Sequence, residues 1–282
     1  MKKGINIWSF QEGTTISEAI ALAKKAGFEG IELSLNESGE LSLSSSDQEL
    51  AAIKAQLHEA DLEIAGLATG LYWSYAMTSA DQANRDKAID IGKKQLEAAQ
   101  ALGVDAILVI PGAVGVDFIP GSEVVDYEYA YDRASEAIAK LVPYAKSAGV
   151  SIAIENVWNK FLLSPLEMRS FIDAQGSEYV GSYFDVGNTV HNGYPEQWIR
   201  ILGARIKKVH FKDYRRQAGG LHGFVDLLAG DVNYPAVMEA LRGIGYNNYV
   251  SAEMIPPYAF HSEQIIYNTS AAMDAILGRS RA

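Results

Sequence analysis

The sequence predicts an α/β fold of the (β/α)8 TIM-barrel class, as a single domain over residues 1–282. Three observations lead to it. Short apolar runs alternate eight times with longer amphipathic stretches, the count that closes a parallel barrel. A glycine recurs between a helical stretch and the following strand, in Ala26-Gly27-Phe28, Leu102-Gly103-Val104, Ala148-Gly149-Val150 and Ile244-Gly245-Tyr246; a left-handed residue at such a point ends the helix. No proline- or serine-rich linker divides the chain, and barrels of this length commonly form one unit.

In chain order, the first strand is read at 3–10 and the first helix at 17–26. The next pairs fall at 30–35 and 46–60, 63–69 and 80–102, and 106–110 and 128–148. The remaining four are 151–157 and 164–174, 180–186 and 195–202, 206–214 and 234–244, and 249–255 and 263–277. The strand runs are apolar and short, as strands covered on both faces are. The helical stretches repeat their apolar residues about every 3.6 positions. A doubly wound open sheet is the alternative, but it carries a glycine-rich first turn, and Gly4-Ile5-Asn6 has no such fingerprint. The longest irregular stretches, 70–79, 112–127 and 215–231, all follow strands. In a barrel these connections crowd the C-terminal face, where active sites are built.

Composition narrows the function. The net charge of −11 argues against a sequence-independent nucleic-acid binder, which needs a basic surface. The absence of cysteine excludes disulfides, thiolate metal sites and a cysteine nucleophile, and is compatible with the cytoplasm. No run approaches the roughly 18 apolar residues of a membrane span, and the start, with Asn6, Ser9, Gln11 and Glu12 breaking the apolar run, does not read as a signal peptide. The chain therefore reads as a soluble, cytoplasmic protein with a small-molecule partner, and a homo-oligomer is compatible with it.

Strands five to eight each carry one metal-ligating residue type near the C-terminal end: Glu155 in Ile152-Ala153-Ile154-Glu155-Asn156, Asp185 in Tyr183-Phe184-Asp185-Val186, His210 in Val209-His210-Phe211 and Glu253 in Ser251-Ala252-Glu253-Met254. Side chains alternate along a strand. The apolar neighbours Ile154, Phe184, Val186, Val209, Phe211, Ala252 and Met254 suit the helix side, which turns the four polar residues into the barrel mouth. Three carboxylates and one imidazole suit one divalent ion such as Mn²⁺, Mg²⁺, Co²⁺ or Zn²⁺; without a cation the carboxylates would repel one another. The competing interpretation is a set of ion pairs with Lys207, Lys208 and Lys212.

On Glu-Asn after strand five, Asp-Val-Gly-Asn after strand six, His-Phe-Lys-Asp after strand seven and Ala-Glu-Met at strand eight, together with Gly27-Phe28-Glu29-Gly30-Ile31-Glu32-Leu33, the chain resembles the xylose-isomerase-like superfamily over essentially its whole length. That group includes ketose 3-epimerases, L-xylulose-5-phosphate 3-epimerase, hydroxypyruvate isomerase and inosose dehydratase. The resemblance implies that Glu155, Asp185, His210 and Glu253 ligate the metal and that Glu155 and Glu253 also serve as the acid/base pair. The expected activity is metal-dependent isomerisation or epimerisation of a sugar or sugar phosphate, foremost 3-epimerisation of a ketose. Dehydration of a keto-inositol and aldose–ketose isomerisation use the same enediolate chemistry. An abasic-site endonuclease on this barrel would need a histidine-rich multi-metal site, and only five histidines are present. A non-catalytic sugar-binding module would show no metal dependence.

Five residues are expected at the substrate. Glu32, between Ile31 and Leu33, faces inward and either bonds substrate or forms a buried ion pair. Asn188 stands where the sugar epimerases carry a substrate-polarising histidine, a departure for which His191 could compensate. Lys212 shares the inward parity of His210, with Asp213 beside it to bridge or orient neighbours. Arg216 matches a substrate-contacting arginine of the epimerase pattern; with Arg215, if both point inward, it favours a phosphorylated or carboxylated substrate. Trp8, together with Tyr72, Trp73 and Trp158, either walls the sugar or caps the core. The loop Gly219-Gly220-Leu221-His222-Gly223 reads as mobile, and His58 and His261 as structural.

Overall fold

The computed structural model describes residues 1–254 and 258–279, so Ile255, the expected end of the last strand, lies outside the described residues. The barrel strands are β1 (Lys2–Asn6), β2 (Gly30–Ser34), β3 (Glu63–Ala68), β4 (Ala106–Val109), β5 (Ser151–Glu155), β6 (Val180–Asp185), β7 (Ile206–Phe211) and β10 (Tyr249–Ala252). They pair in parallel in the order β1-β10-β7-β6-β5-β4-β3-β2 and close. Between β7 and β10 a small antiparallel ribbon, β8 (Asp213–Tyr214) with β9 (Phe224–Val225), stands above the barrel.

Among the described residues eight α-helices wrap the outside: α1 (Ile16–Lys25), α2 (Asp47–Glu59), α3 (Gln82–Leu102), α4 (Tyr127–Ala148), α5 (Pro165–Ala174), α6 (Pro195–Leu202), α7 (Tyr234–Gly243) and α8 (Ser262–Leu277). Local chemistry sets their ends. Thr15 with Glu18 and Ser46 with Glu49 form capping boxes, so first-turn amides that no helix carbonyl could satisfy find side-chain acceptors. Gly103 and Gly149 end α3 and α4 in the left-handed conformation, as the glycine punctuation implied. None of the described helices is long and apolar enough to cross a membrane.

Four expected strands, β10 among them, stop two or more residues early, and three do so for an identifiable reason. After Asn6 the chain tightens into a 3₁₀ turn, Ile7–Ser9, because the Asn6 side chain accepts the Trp8 amide at 2.7 Å. Strand β5 ends at Glu155 because Asn156 turns its side chain to β6, donating to Asp185 O at 2.8 Å and accepting from Asp185 N at 2.9 Å. Beyond β7, Asp213 and Tyr214 leave the barrel to pair with Val225 and Phe224.

The core lies between barrel and helices. Ile154, Phe184, Val186, Val209, Phe211, Ala252 and Met254 are all buried, each large side chain contributing about 1.5–3 kcal/mol of hydrophobic stabilisation. Their alternation with Glu155, Asp185, His210 and Glu253 projects those four toward the barrel axis. Parallel register then levels them: Asp185 pairs with His210, and His210 with Ser251, two residues before Glu253.

Candidate metal centre

Glu155, Asp185, His210 and Glu253 are all buried, and each offers a ligand atom such that the four atoms lie within 4.8 Å of one another. His210 Nδ1 stands at the hub, 3.3 Å from Glu155 Oε1, 3.1 Å from Glu253 Oε2 and 3.9 Å from Asp185 Oδ2. Lys212 Nζ approaches from the mouth, 3.2 Å from Asp185 Oδ2 and 2.8 Å from Glu253 Oε2. Despite this charge contact, those two carboxylate oxygens make no hydrogen bond and are fully buried. Oxygens of this kind, aimed at one point beside an imidazole nitrogen, fit the demand of a hard or borderline divalent cation. The ion-pair alternative is thus realised only in part: Lys212 joins the cluster, whereas Lys208 pairs with Asp105 at 2.7 Å on β4's approach.

Burial sets the electrostatics, and neighbours divide it unevenly. Desolvation, reinforced by Glu253 and Asp185, pushes the Glu155 carboxyl up to about 7 against the pull of His210. Desolvation acts on Glu253 too, but Lys212 and His210 outweigh it and hold that carboxyl down at about 2. Asp185 is raised by burial, Lys212 notwithstanding. Burial opposes the charge on His210 and Lys212, yet the surrounding carboxylates prevail and raise both.

Glu32 lies behind His210 and away from the mouth, wholly buried. Its oxygens are 2.9 and 3.1 Å from His210 Nε2, and it also accepts from Asn6 Nδ2 at 2.6 Å and from the Tyr183 hydroxyl. Gly66 makes room for this group: a Cβ there would stand 2.5 Å from Tyr183 Oη and 2.9 Å from a Glu32 oxygen. With Nε2–H donated to Glu32, loss of the Nδ1 proton on cation binding would turn that nitrogen's lone pair to the cluster. Glu32→Gln is therefore expected to weaken divalent-cation binding about 10- to 100-fold by titration calorimetry. An unchanged affinity would show that Glu32 does not orient the ring.

Above the cluster opens a cavity of about 570 Å³. Its lining comes from Glu155, Val157, Trp158, Asn188, Lys212, Leu221, His222, Phe224 and Glu253, which end or follow β5 to β10, and from Trp8, Gly70, Trp73, Ile110 and Phe118, which follow β1, β3 and β4. Asn188 is held by its amide to Asp185 Oδ1 at 2.7 Å and by its side chain to Asn156 O at 3.0 Å, while Trp158 Nε1 donates to Asn188 O at 3.0 Å. Asp213 anchors the connection that covers the site, accepting amides from Tyr214, Leu228, Gly230 and Val232 at 2.8 to 3.2 Å.

Of the expected substrate residues, Trp8, Asn188 and Lys212 reach the cavity. Glu32 does not, being screened by His210. Arg216 does not either: its guanidinium donates to Val190 O at 2.9 Å and Gly193 O at 3.3 Å and lies over the Tyr194 ring. Arg215 donates to Ala229 O at 2.8 Å. His191 is exposed, its ring 5.4 Å from that of Trp158. Tyr72 is a core residue bonded to Gln95, whereas Trp73 and Trp158 are cavity walls. His58 and His261 are exposed and lie outside the cavity lining. Asn156, Phe118 and Phe224 were not singled out from the sequence. Asn156 had a signal in the Glu-Asn pair, but Phe118 and Phe224 sit in irregular stretches with no periodicity to orient them.

Compared with known proteins, residues 20–275 match the family described as xylose isomerase-like TIM barrel. L-ribulose 3-epimerase of Mesorhizobium japonicum is 25% identical over 273 residues, covering 94% of this chain and 82% of that one. L-ribulose-5-phosphate 3-epimerase UlaE of Salmonella heidelberg is 25% identical over 236 residues, covering 80% and 78%. The crystal structure of D-psicose 3-epimerase with D-tagatose from Clostridium cellulolyticum H10 superposes with a TM-score of 0.80 at 18% identity, covering 99% of both chains.

Proposed function

We propose that this chain, which belongs to the xylose isomerase-like TIM barrel family, is a divalent-metal-dependent sugar epimerase acting at C3 of a ketose or ketose phosphate. The observation that carries the proposal is the convergence of three carboxylates and an imidazole, two of their oxygens without a hydrogen bond, at the floor of a cavity able to hold a sugar. The epimerase relatives support the reaction type. Glu155, Asp185, His210 and Glu253 would hold the cation, with Mn²⁺, Mg²⁺, Co²⁺ and Zn²⁺ all compatible with this donor set. When bound, the cation polarises the ketose carbonyl, acidifies the adjacent C–H and stabilises the enediolate.

The chain's own residues then divide the proton work. Glu155 and Glu253 reach the cavity floor from β5 and from just past β10, on either side of β6 and β7. One carboxylate takes the C3 proton and becomes neutral, the C–H electron pair moving into the enediolate. The other, protonated, gives its proton to the opposite face and becomes ionised, leaving the C3 epimer. Without a cation the two carboxyls already differ in basicity, Lys212 and His210 holding Glu253 down while burial raises Glu155. Asn188 lines the cavity beside the glutamates for a sugar hydroxyl and Trp8 for a sugar face, while Lys212 is held by Asp185 and Glu253.

The test is proton exchange. Metal-loaded protein incubated with D-tagatose, L-ribulose and their phosphates in D₂O should place deuterium at C3 and generate the C3 epimer, and a chelator should abolish both. Deuterium appearing with an aldose product would make the protein an isomerase instead. Loss of water from a keto-inositol, with no ketose exchange, would make it a dehydratase.

A further inference from the structure

The cavity is larger and less polar than a free ketose requires, and the lysine in its described lining is paired with two carboxylates. We propose that the substrate is uncharged and carries a second ring on the carbon farthest from the reacting centre, as in a ketose bearing a glycosyl group. This rests on the epimerase function proposed above and names its substrate class.

Charge is the first argument. Three carboxylates converge on the cluster, and Lys212 together with a divalent cation would neutralise them, leaving no net field to attract a phosphate. Lys212 Nζ is committed to Asp185 and Glu253. Neither arginine of the covering loop lines the cavity: the Arg216 guanidinium reaches the carbonyls of Val190 and Gly193 and that of Arg215 the carbonyl of Ala229. A phosphate needs charge-assisted donors, and besides Lys212, already paired with two carboxylates, the described lining offers the exposed His222 alone.

Shape is the second argument. Glu155, Asn188, Lys212 and Glu253 all end or follow β5 to β10, so the carbonyl and the epimerised carbon belong on that side. The other side is formed by the loops after β1, β3 and β4, where Trp73 meets Phe118 edge-on with ring centroids 5.2 Å apart. It presents aromatic faces and Ile110 and no ionisable side chain. A volume of about 570 Å³ lies in the range of drug-sized ligands rather than of one small sugar. A pentose or hexose alone would leave these faces wet; the C–H face of a second sugar ring would cover them.

D-fructose, D-fructose 6-phosphate and 6-O-glucosyl-fructose differ only at O6 and form the test. Exchange at C3 in D₂O and calorimetric binding are both read on the Mn²⁺-loaded protein. Glucosyl-fructose should exceed fructose at least tenfold in kcat/KM or affinity, and fructose should exceed its phosphate by a similar factor. Trp73→Ala should lower the glucosyl-fructose to fructose ratio at least fivefold. A phosphate bound as well as fructose, a glucosyl group that weakens binding, or a Trp73→Ala loss equal on both sugars would overturn the proposal. Binding ranked as expected with no exchange from any of the three would overturn the epimerase function and retain the substrate class.

Discussion

Asp185→Asn is expected to cost the protein its cation and its turnover while leaving the barrel folded. Asp185 Oδ1 accepts the Asn188 amide at 2.7 Å, a bond the asparagine oxygen would keep. Oδ2 has no hydrogen bond and faces the cluster, with Lys212 Nζ 3.2 Å away. An amide nitrogen there turns an acceptor into a donor, points it at an ammonium and removes one of three charges that balance a divalent ion. Outer partners of metal sites are worth about 10- to 100-fold in affinity, so loss of a direct ligand should exceed about 100-fold. Glu155→Gln should act in the same direction. The check is metal content after dialysis, by elemental analysis, alongside circular dichroism and the exchange assay. Wild-type metal content and turnover in both variants would remove these residues from the ligand set.

Removing one glutamate of the acid/base pair should abolish net epimerisation yet spare half of the chemistry. If Glu155 and Glu253 serve opposite faces of C3, each single variant keeps a carboxylate able to exchange the C3 proton of one epimer only. Glu155→Gln and Glu253→Gln should then show opposite preferences when the two C3 epimers are incubated separately in D₂O with saturating cation. General acid–base groups contribute about 10²- to 10⁴-fold, so net epimerisation should fall by that order in both. Bound metal is measured first, because both residues also belong to the candidate ligand set. Metal-replete variants that epimerise at near wild-type rates would show that neither glutamate moves the proton. Loss of exchange from both epimers in only one variant would identify a single-base isomerase.

Much of this site was legible in the sequence, because strand geometry is periodic. Alternation along strands and the location of active sites at their C-terminal ends are properties of any parallel barrel. Glu155, Asp185, His210 and Glu253, each preceded by an apolar residue, could therefore be assigned to one mouth. The helices were equally readable, since an amphipathic period and a capping residue or C-terminal glycine are local signals, as at Ser46 and Gly103.

The remaining decisions belong to contacts between residues far apart in the chain. Glu32 has the inward parity of a substrate ligand, but it is bonded to His210, 178 residues away, and lies outside the cavity lining. Arg216 follows a strand end as a phosphate-binding residue would, yet Val190 O and Tyr194 draw its guanidinium to the outer side of the loop. Lys212 had inward parity, but only the packed cluster shows that two carboxylates neutralise it. The sequence by itself determined the barrel, its order and the four residues at its mouth, because backbone periodicity is local and obligatory. Tertiary structure alone decided which charges remain free for a substrate, because long side chains and irregular loops take their direction from partners that sequence neighbours do not specify.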